Sequence, residues 1–145
     1  MKTFLSGSPR QTVELGKSFA VSLKPGDVLA LFGNLGTGKT QFVSGVCQGL
    51  GVRVRVTSPT FTMVNEYPAP FGLVAHIDLY RIGLARDLRE IGIESYFHDR
   101  CICLIEWAER ALQLLPPAYH SVKFSYGKTE EGRIIEIRTA QEALV

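Results

Sequence analysis

Eight residues, Gly33-Asn34-Leu35-Gly36-Thr37-Gly38-Lys39-Thr40, constrain this chain more than any other stretch. They match G-x-x-x-x-G-K-[ST], and their flanks supply the context that this pattern requires. Ahead of them, Asp27 to Phe32 is an apolar run bounded by turn residues, which suits a strand buried on both faces. Behind them, Lys39 to Cys47 reads as a helix with Phe42, Val43 and Val46 on one side, ending at Gly49 and Gly51. Glycines in such a bend can take positive φ and turn successive N–H groups toward one anion. The following helix aims its free N–H groups and its dipole at the same point. Lys39 reaches the β- and γ-phosphates as a point charge, and the Thr40 hydroxyl is placed to ligate Mg²⁺. A glycine-rich turn with no ligand is the bland reading, and the strand before it and the helix after it argue against that. The chain is expected to bind a nucleoside triphosphate.

With 145 residues, 46% of them hydrophobic and 21% charged, the chain has enough apolar material for a core and is expected to form a single domain, residues 1–145. No apolar run is long enough to cross a bilayer, and the start lacks the apolar stretch of a secretory signal. Cys47, Cys101 and Cys103 have no partner pattern for zinc or complete disulfide pairing, which points to a reduced, cytoplasmic protein with no membrane partner. A net charge of +2 diagnoses no nucleic-acid surface.

Ser8-Pro9-Arg10-Gln11 opens a helix with a capping box, and Leu15, Phe19 and Leu23 continue along one face until Lys24-Pro25-Gly26-Asp27. Val52, Val54 and Val56 alternate with Arg53 and Arg55, the pattern of a half-exposed strand. Gly72 to Tyr80 and Cys101 to Trp107 are further strands, with helical spacing at Leu84, Leu88 and Ile91 between them. Ala108 to Leu115 reads as a short helix, and Ser121 to Tyr126 with Arg133 to Arg138 as a hairpin. The alternation implies an α/β fold: a mostly parallel central sheet with helices on both faces and a C-terminal antiparallel hairpin.

A triphosphate site of this kind needs acidic partners for its metal at the carboxyl ends of neighbouring strands. Asp78 ends one apolar run and Glu106 another. The residues leave open which of the two touches the metal directly. The assignment taken here gives Glu106 to the metal and Asp78 to the γ-phosphate and attacking water. Thr57-Ser58-Pro59-Thr60-Phe61 forms a polar kink that by itself reads as an ordinary proline turn. No Asn-Lys-x-Asp-like segment is present, so adenine is the expected base. His76, His98 and His120 are dispersed without metal-ligand spacing, and the Arg53 and Arg55 stripe reads as a solvated strand face.

Taken in order, Leu31 through Phe42, Ser58-Pro59-Thr60-Phe61-Thr62, His76-Ile77-Asp78-Leu79-Tyr80-Arg81, Gly92 through Phe97, and Ile102 through Trp107 resemble the bacterial TsaE family of small P-loop ATPases. The resemblance runs from about Ser8 to Arg138. It implies a part in making threonylcarbamoyladenosine on tRNAs that read codons beginning with A. The family's ATPase docks on the transferase TsaD and its partner TsaB, with tRNA an indirect partner through that complex, and hydrolyses ATP to let it turn over. Resemblance further implies ATP and Mg²⁺ as cofactors, with ATP held by Asn34, Leu35, Gly36, Thr37, Gly38, Lys39, Thr40, Gln41, Asp78 and Arg133. Thr40 and Glu106 would take the metal, and Lys39, Thr60, Asp78 and Glu106 would carry catalysis. The Ser58-Pro59-Thr60 loop becomes a switch beside the nucleotide. Trp107 falls on the family's tryptophan, where it reads as core packing or a wall of the nucleotide site. Arg81 reads as a charge stabiliser, a partner contact or one half of a salt bridge. Asn34, Thr37 and Ala108 depart from the family pattern and bear on hydrolysis rather than binding. Two other classes share a phosphate loop: a small-molecule or nucleoside kinase, for which no arginine-rich lid is found, and an interaction module that changes shape on ATP binding without hydrolysis.

Overall fold

Parity along the strands decides where each apolar side chain goes. In the computed structural model, which describes residues 1–82 and 85–143, seven strands form one sheet. They are β1 (Lys2–Ser6), β2 (Val28–Phe32), β3 (Val64–Ala69), β4 (Gly72–Asp78), β5 (Cys101–Glu106), β6 (His120–Tyr126) and β7 (Arg133–Arg138), in the spatial order β1-β7-β6-β2-β5-β4-β3. The central four, β6, β2, β5 and β4, are mutually parallel, and β7 and β3 flank them antiparallel. The hairpin of β6 and β7 is thus as expected, and β1 extends it by pairing with β7.

Leu29, Leu31, Val74, Ile102 and Leu104 point to one face of the sheet, beneath α1 (Pro9–Phe19) and α2 (Lys39–Gly49). Val28, Ala30, Ala75, Ile77, Cys103 and Ile105 point to the other. That face is covered by Leu88 of α3 (Ala85–Ile91), by Ile93, and by Ala108 and Ala111 of a 3-10 segment (Ala108–Leu114). A last short helix, α4 (Ala140–Ala143), follows β7. The central runs read as continuously apolar because both faces are covered.

Helix α1 begins as its sequence dictates, with the Ser8 hydroxyl accepting from the Gln11 N–H at 3.2 Å and Pro9 in the first turn. The Gln11 side chain reaches one residue further back than a capping box requires, accepting from the Gly7 N–H at 2.6 Å. Two expectations are corrected. Residues 52–56 form no strand, because the edge of β4 is taken by β3, whose partner it is along its whole length. Ala108 to Leu114 is 3-10 rather than α-helical, broken at Ala111 with φ −133°. Strands β1 and β3 are additions to the sequence reading. The helical spacing assigned to Leu84 lies outside the described residues.

Candidate active site

Strand β2 delivers the chain into a loop that closes on itself before α2 starts. Gly38, at φ 99°, is the residue on which the loop turns into the helix, a conformation that a Cβ would strain. Gly33 has no room for a side chain either, since a Cβ there would lie 2.8 Å from Thr37 Oγ1 and 3.0 Å from the Phe124 carbonyl oxygen. Thr37 is buried and donates its hydroxyl to the Asn34 carbonyl at 2.7 Å, pinning the bend. From the far side, the Arg133 guanidinium of β7 donates to the Gly36 carbonyl at 3.1 Å, and the Tyr126 hydroxyl of β6 to that of Leu35 at 2.6 Å.

Lys39 is buried, and its ammonium donates to the carbonyls of Gly33 and Asn34. The Trp107 indole lies across it, with Nζ 3.8 Å from the ring centre. Burial pulls the Lys39 pKa below its ordinary value, against the raising effect of Glu106, Glu109 and Asp78. A buried ammonium held by carbonyls and a π face is a charge in want of an anion.

The acidic edge follows from strand parity. Val74, His76 and Asp78 alternate onto the α2 side of β4, as Ile102, Leu104 and Glu106 do on β5, and the parallel register sets Asp78 directly beside Glu106. The Thr40 hydroxyl, in the first turn of α2, donates to the two Glu106 oxygens at 3.2 and 3.1 Å. Asp78 accepts from the Thr60 hydroxyl at 3.0 Å and from the Tyr80 N–H at 2.8 Å. Thr60 is itself bonded to the Ser58 hydroxyl at 2.8 Å. The kink that carries Thr60 is fixed from below: the Thr57 carbonyl accepts from Asn65 Nδ2 at 3.2 Å and from the Tyr67 hydroxyl at 3.3 Å. Trp107 has φ 58°, a left-handed conformation unusual for a bulky residue, and its ring centre lies 5.0 Å from that of Tyr80 with the rings tilted by 47°.

These groups converge on a cavity of about 310 Å³. Of the residues expected to bind, Leu35, Gly36, Gly38, Lys39, Thr40, Gln41, Thr60, Asp78, Glu106 and Arg133 line it. Asn34 and Thr37 instead line a groove on the opposite side of the loop with Phe124 and Tyr126. Arg81 turns away, its guanidinium 5.1 Å from the ring centre of the exposed Phe61. Sequence reasoning missed Pro9 and Thr12 of α1, and Glu131 from the hairpin loop, all of which line the cavity. No local signal marks them, because their place depends on how α1 and the hairpin pack.

The residues fit a triphosphate with its cation. Among the described residues no group of three or more His, Cys, Asp and Glu is arranged around a metal. Thr40 and Glu106 supply two hard oxygens 3.1–3.2 Å apart. Mg²⁺ is commonly bound through one or two such groups, with phosphate and water completing its shell.

The family profile described as "Threonylcarbamoyl adenosine biosynthesis protein TsaE" matches residues 6–135. The chain belongs to the TsaE family. It is 41% identical over 109 residues to the tRNA threonylcarbamoyladenosine biosynthesis protein TsaE of Bacillus subtilis, covering 75% of this chain and 68% of that one. It is 38% identical over 130 residues to the TsaE protein of Haemophilus influenzae, covering 86% and 81%. The crystal structure of Bacillus subtilis YdiB superposes with a TM-score of 0.78 at 32% identity, over 96% of this chain and 85% of the other. Four of the five TsaE segments quoted from the sequence border this cavity, through the glycine loop, the Ser58-Pro59-Thr60 kink, Asp78 and Glu106-Trp107, while Gly92 through Phe97 brings Ile93 to the opposite face of the sheet. Membership ties the chain to tRNA threonylcarbamoyladenosine biosynthesis. No helix among the described residues is long and apolar enough to cross a membrane.

Proposed function

We propose that this chain is a Mg²⁺-dependent ATPase of the cytoplasm that supports threonylcarbamoyladenosine modification of tRNAs reading codons beginning with A. In this reading it binds ATP and lets a TsaB–TsaD transferase complex turn over, meeting tRNA through that complex. The observation that carries the reading is the Thr40–Glu106 contact at 3.1–3.2 Å, directly beside the Thr60–Asp78 contact, at the mouth of the glycine loop. One pair offers oxygens to a cation and the other reaches the position of a terminal phosphate.

Lys39 leaves the Gly33 and Asn34 carbonyls for the phosphate oxygens, so that its buried charge gains an anionic partner. The N–H groups from Gly36 to Thr40 and the α2 dipole hold the same phosphates. Thr40 and Glu106 would hold Mg²⁺, which would supply charge neutralisation to the phosphates. Asp78 orients the attacking water, with Thr60 fixing the carboxylate. Arg133 is committed to the carbonyls of Gly36, Glu130 and Gly132, and Arg81 to Phe61, so neither stands over the terminal phosphate. Hydrolysis by the chain alone is therefore weak, and partner proteins stimulate it.

The test is multiple-turnover modification of tRNA by TsaB and TsaD with and without this chain, beside ATP hydrolysis by the same proteins. Product should continue past one equivalent per complex only with the wild-type chain. Lys39→Ala and Glu106→Ala should each lower hydrolysis at least about 100-fold, the size expected for a group that stabilises transition-state charge. Hydrolysis indifferent to Lys39→Ala would refute catalysis at this site.

A further inference from the structure

A histidine in the middle of β4 has one nitrogen engaged and one left over. His76 has no exposed surface, and its Nε2 lies 2.6 Å from Glu106 Oε2. Its Nδ1 is buried with no hydrogen-bond partner. A carboxylate accepts and does not donate, so the proton of this bond sits on Nε2, and Nδ1 is left without a partner. The Tyr67 ring lies on one side at 6.5 Å between centres. An imidazole with an unsatisfied nitrogen in such a place is a cost to the fold, which an aliphatic side chain of similar volume would avoid. What the ring does contact is a functional carboxylate.

We propose that His76 is a positioning residue for the cation site, donating its Nε2–H to fix the plane and rotamer of the Glu106 carboxylate. The inference rests on the reading of Glu106 as the acidic partner of Mg²⁺. Glu106 is buried, and two donors meet it from opposite elements: the Thr40 hydroxyl from α2 and the His76 ring from β4. With Oε2 anchored to a strand-borne ring, the carboxylate keeps its orientation when the Thr40 hydroxyl turns its lone pair to a cation. Groups that orient a metal ligand from behind commonly change metal affinity without touching the metal. Strand parity builds the arrangement, because His76 lies two residues before Asp78 and diagonal to Glu106 in the parallel register.

The chain's single tryptophan, Trp107, lines the cavity, so its fluorescence reads ATP binding directly. ATP is titrated with and without Mg²⁺ into the wild type, His76→Leu, His76→Gln and Glu106→Gln. In His76→Leu the Mg²⁺ concentration giving half of the cation-dependent effect should rise about tenfold, within the range for such outer partners. ATP affinity in EDTA and the thermal midpoint should stay at or above wild type, an outcome that a merely structural histidine would not give. His76→Gln, which returns an N–H near the Nε2 position, should recover much of the Mg²⁺ response. A wild-type response in His76→Leu together with a shifted one in Glu106→Gln overturns the role of His76 alone. An unshifted Glu106→Gln overturns the assignment of Glu106 and the inference with it. Nitrogen NMR of the ¹⁵N-histidine-labelled wild-type chain needs no variant: an Nε2-protonated ring is expected, and an Nε2 without its proton overturns the proposal.

Discussion

Lys39 carries a charge that its surroundings disfavour, and the residues around it are arranged to hand that charge to an anion. Carbonyls of the loop and the Trp107 face hold the ammonium in place while burial lowers its pKa. A phosphate would satisfy it better, which is how a buried cation becomes a binding residue. Thr60 offers a second test at this scale. Its hydroxyl is a side-chain donor to Asp78, so Thr60→Val, of nearly equal volume, removes that bond together with the Ser58–Thr60 contact. At about 1.5 kcal/mol, the lower end for a hydrogen bond to a charged group, kcat for ATP hydrolysis should fall roughly tenfold. ATP affinity, read by Trp107 fluorescence, should change less than about threefold for a contact that acts in the transition state. Equal losses in both would place Thr60 in ground-state binding.

At the scale of elements, the site depends on how closely α1 and α2 approach. A Cβ on Gly45 would sit 1.9 Å from the Val13 carbonyl oxygen, and one on Gly16 would sit 2.2 Å from that of Phe42. The two helices therefore cross backbone to backbone. Gly45→Ala should cost about 3 kcal/mol, at the upper end of ordinary overpacking, measured by urea denaturation. Because α1 brings Pro9 and Thr12 to the cavity and α2 brings Lys39 and Thr40, ATP affinity should fall in the same variant. Unchanged stability would mean that the helices separate without loss. The same crossing explains an omission at the sequence level: the capping signal of α1 was legible at Ser8, yet nothing local said that its first turn borders the cavity. Residues 52–56 err in the other direction. Their alternation satisfies the period of a strand, but a strand also needs a free neighbour, and β3 had already claimed the edge of β4.

For the molecule as a whole, three buried thiols set an alkaline limit. Burial pushes Cys47 up to about 12, Cys101 up to about 11, and Cys103 well above its ordinary value of 9.0. All three are free cysteines. An unfolded thiol loses its proton near 9, whereas the folded one keeps it, so the stabilising contribution is complete below about 9 and is lost as pH rises toward 11 to 12. Lys39 works in the opposite sense, since its lowered value lets the folded chain shed an unfavourable charge before the unfolded one does. Three thiols outweigh one lysine, so urea midpoints should decline between pH 8 and pH 10. Labelling by DTNB at pH 8 should track global unfolding; rapid labelling of the native chain would contradict the buried placement of the thiols.

Local signals were enough for the glycine loop, the strand before it and the helix after it, because those features follow from backbone freedom and hydrophobic period. The sequence also showed that Asp78 and Glu106 each end an apolar run, whereas the register that sets the two carboxylates side by side belongs to the assembled sheet. Only the tertiary structure decided that Arg133 and Tyr126 brace the loop from the hairpin and that Arg81 turns to Phe61. It alone decided that His76 reaches Glu106, across an interval of 30 residues. Those contacts depend on strand order and on helix approach, and both are set by burial of the whole apolar surface rather than by any segment's own preference.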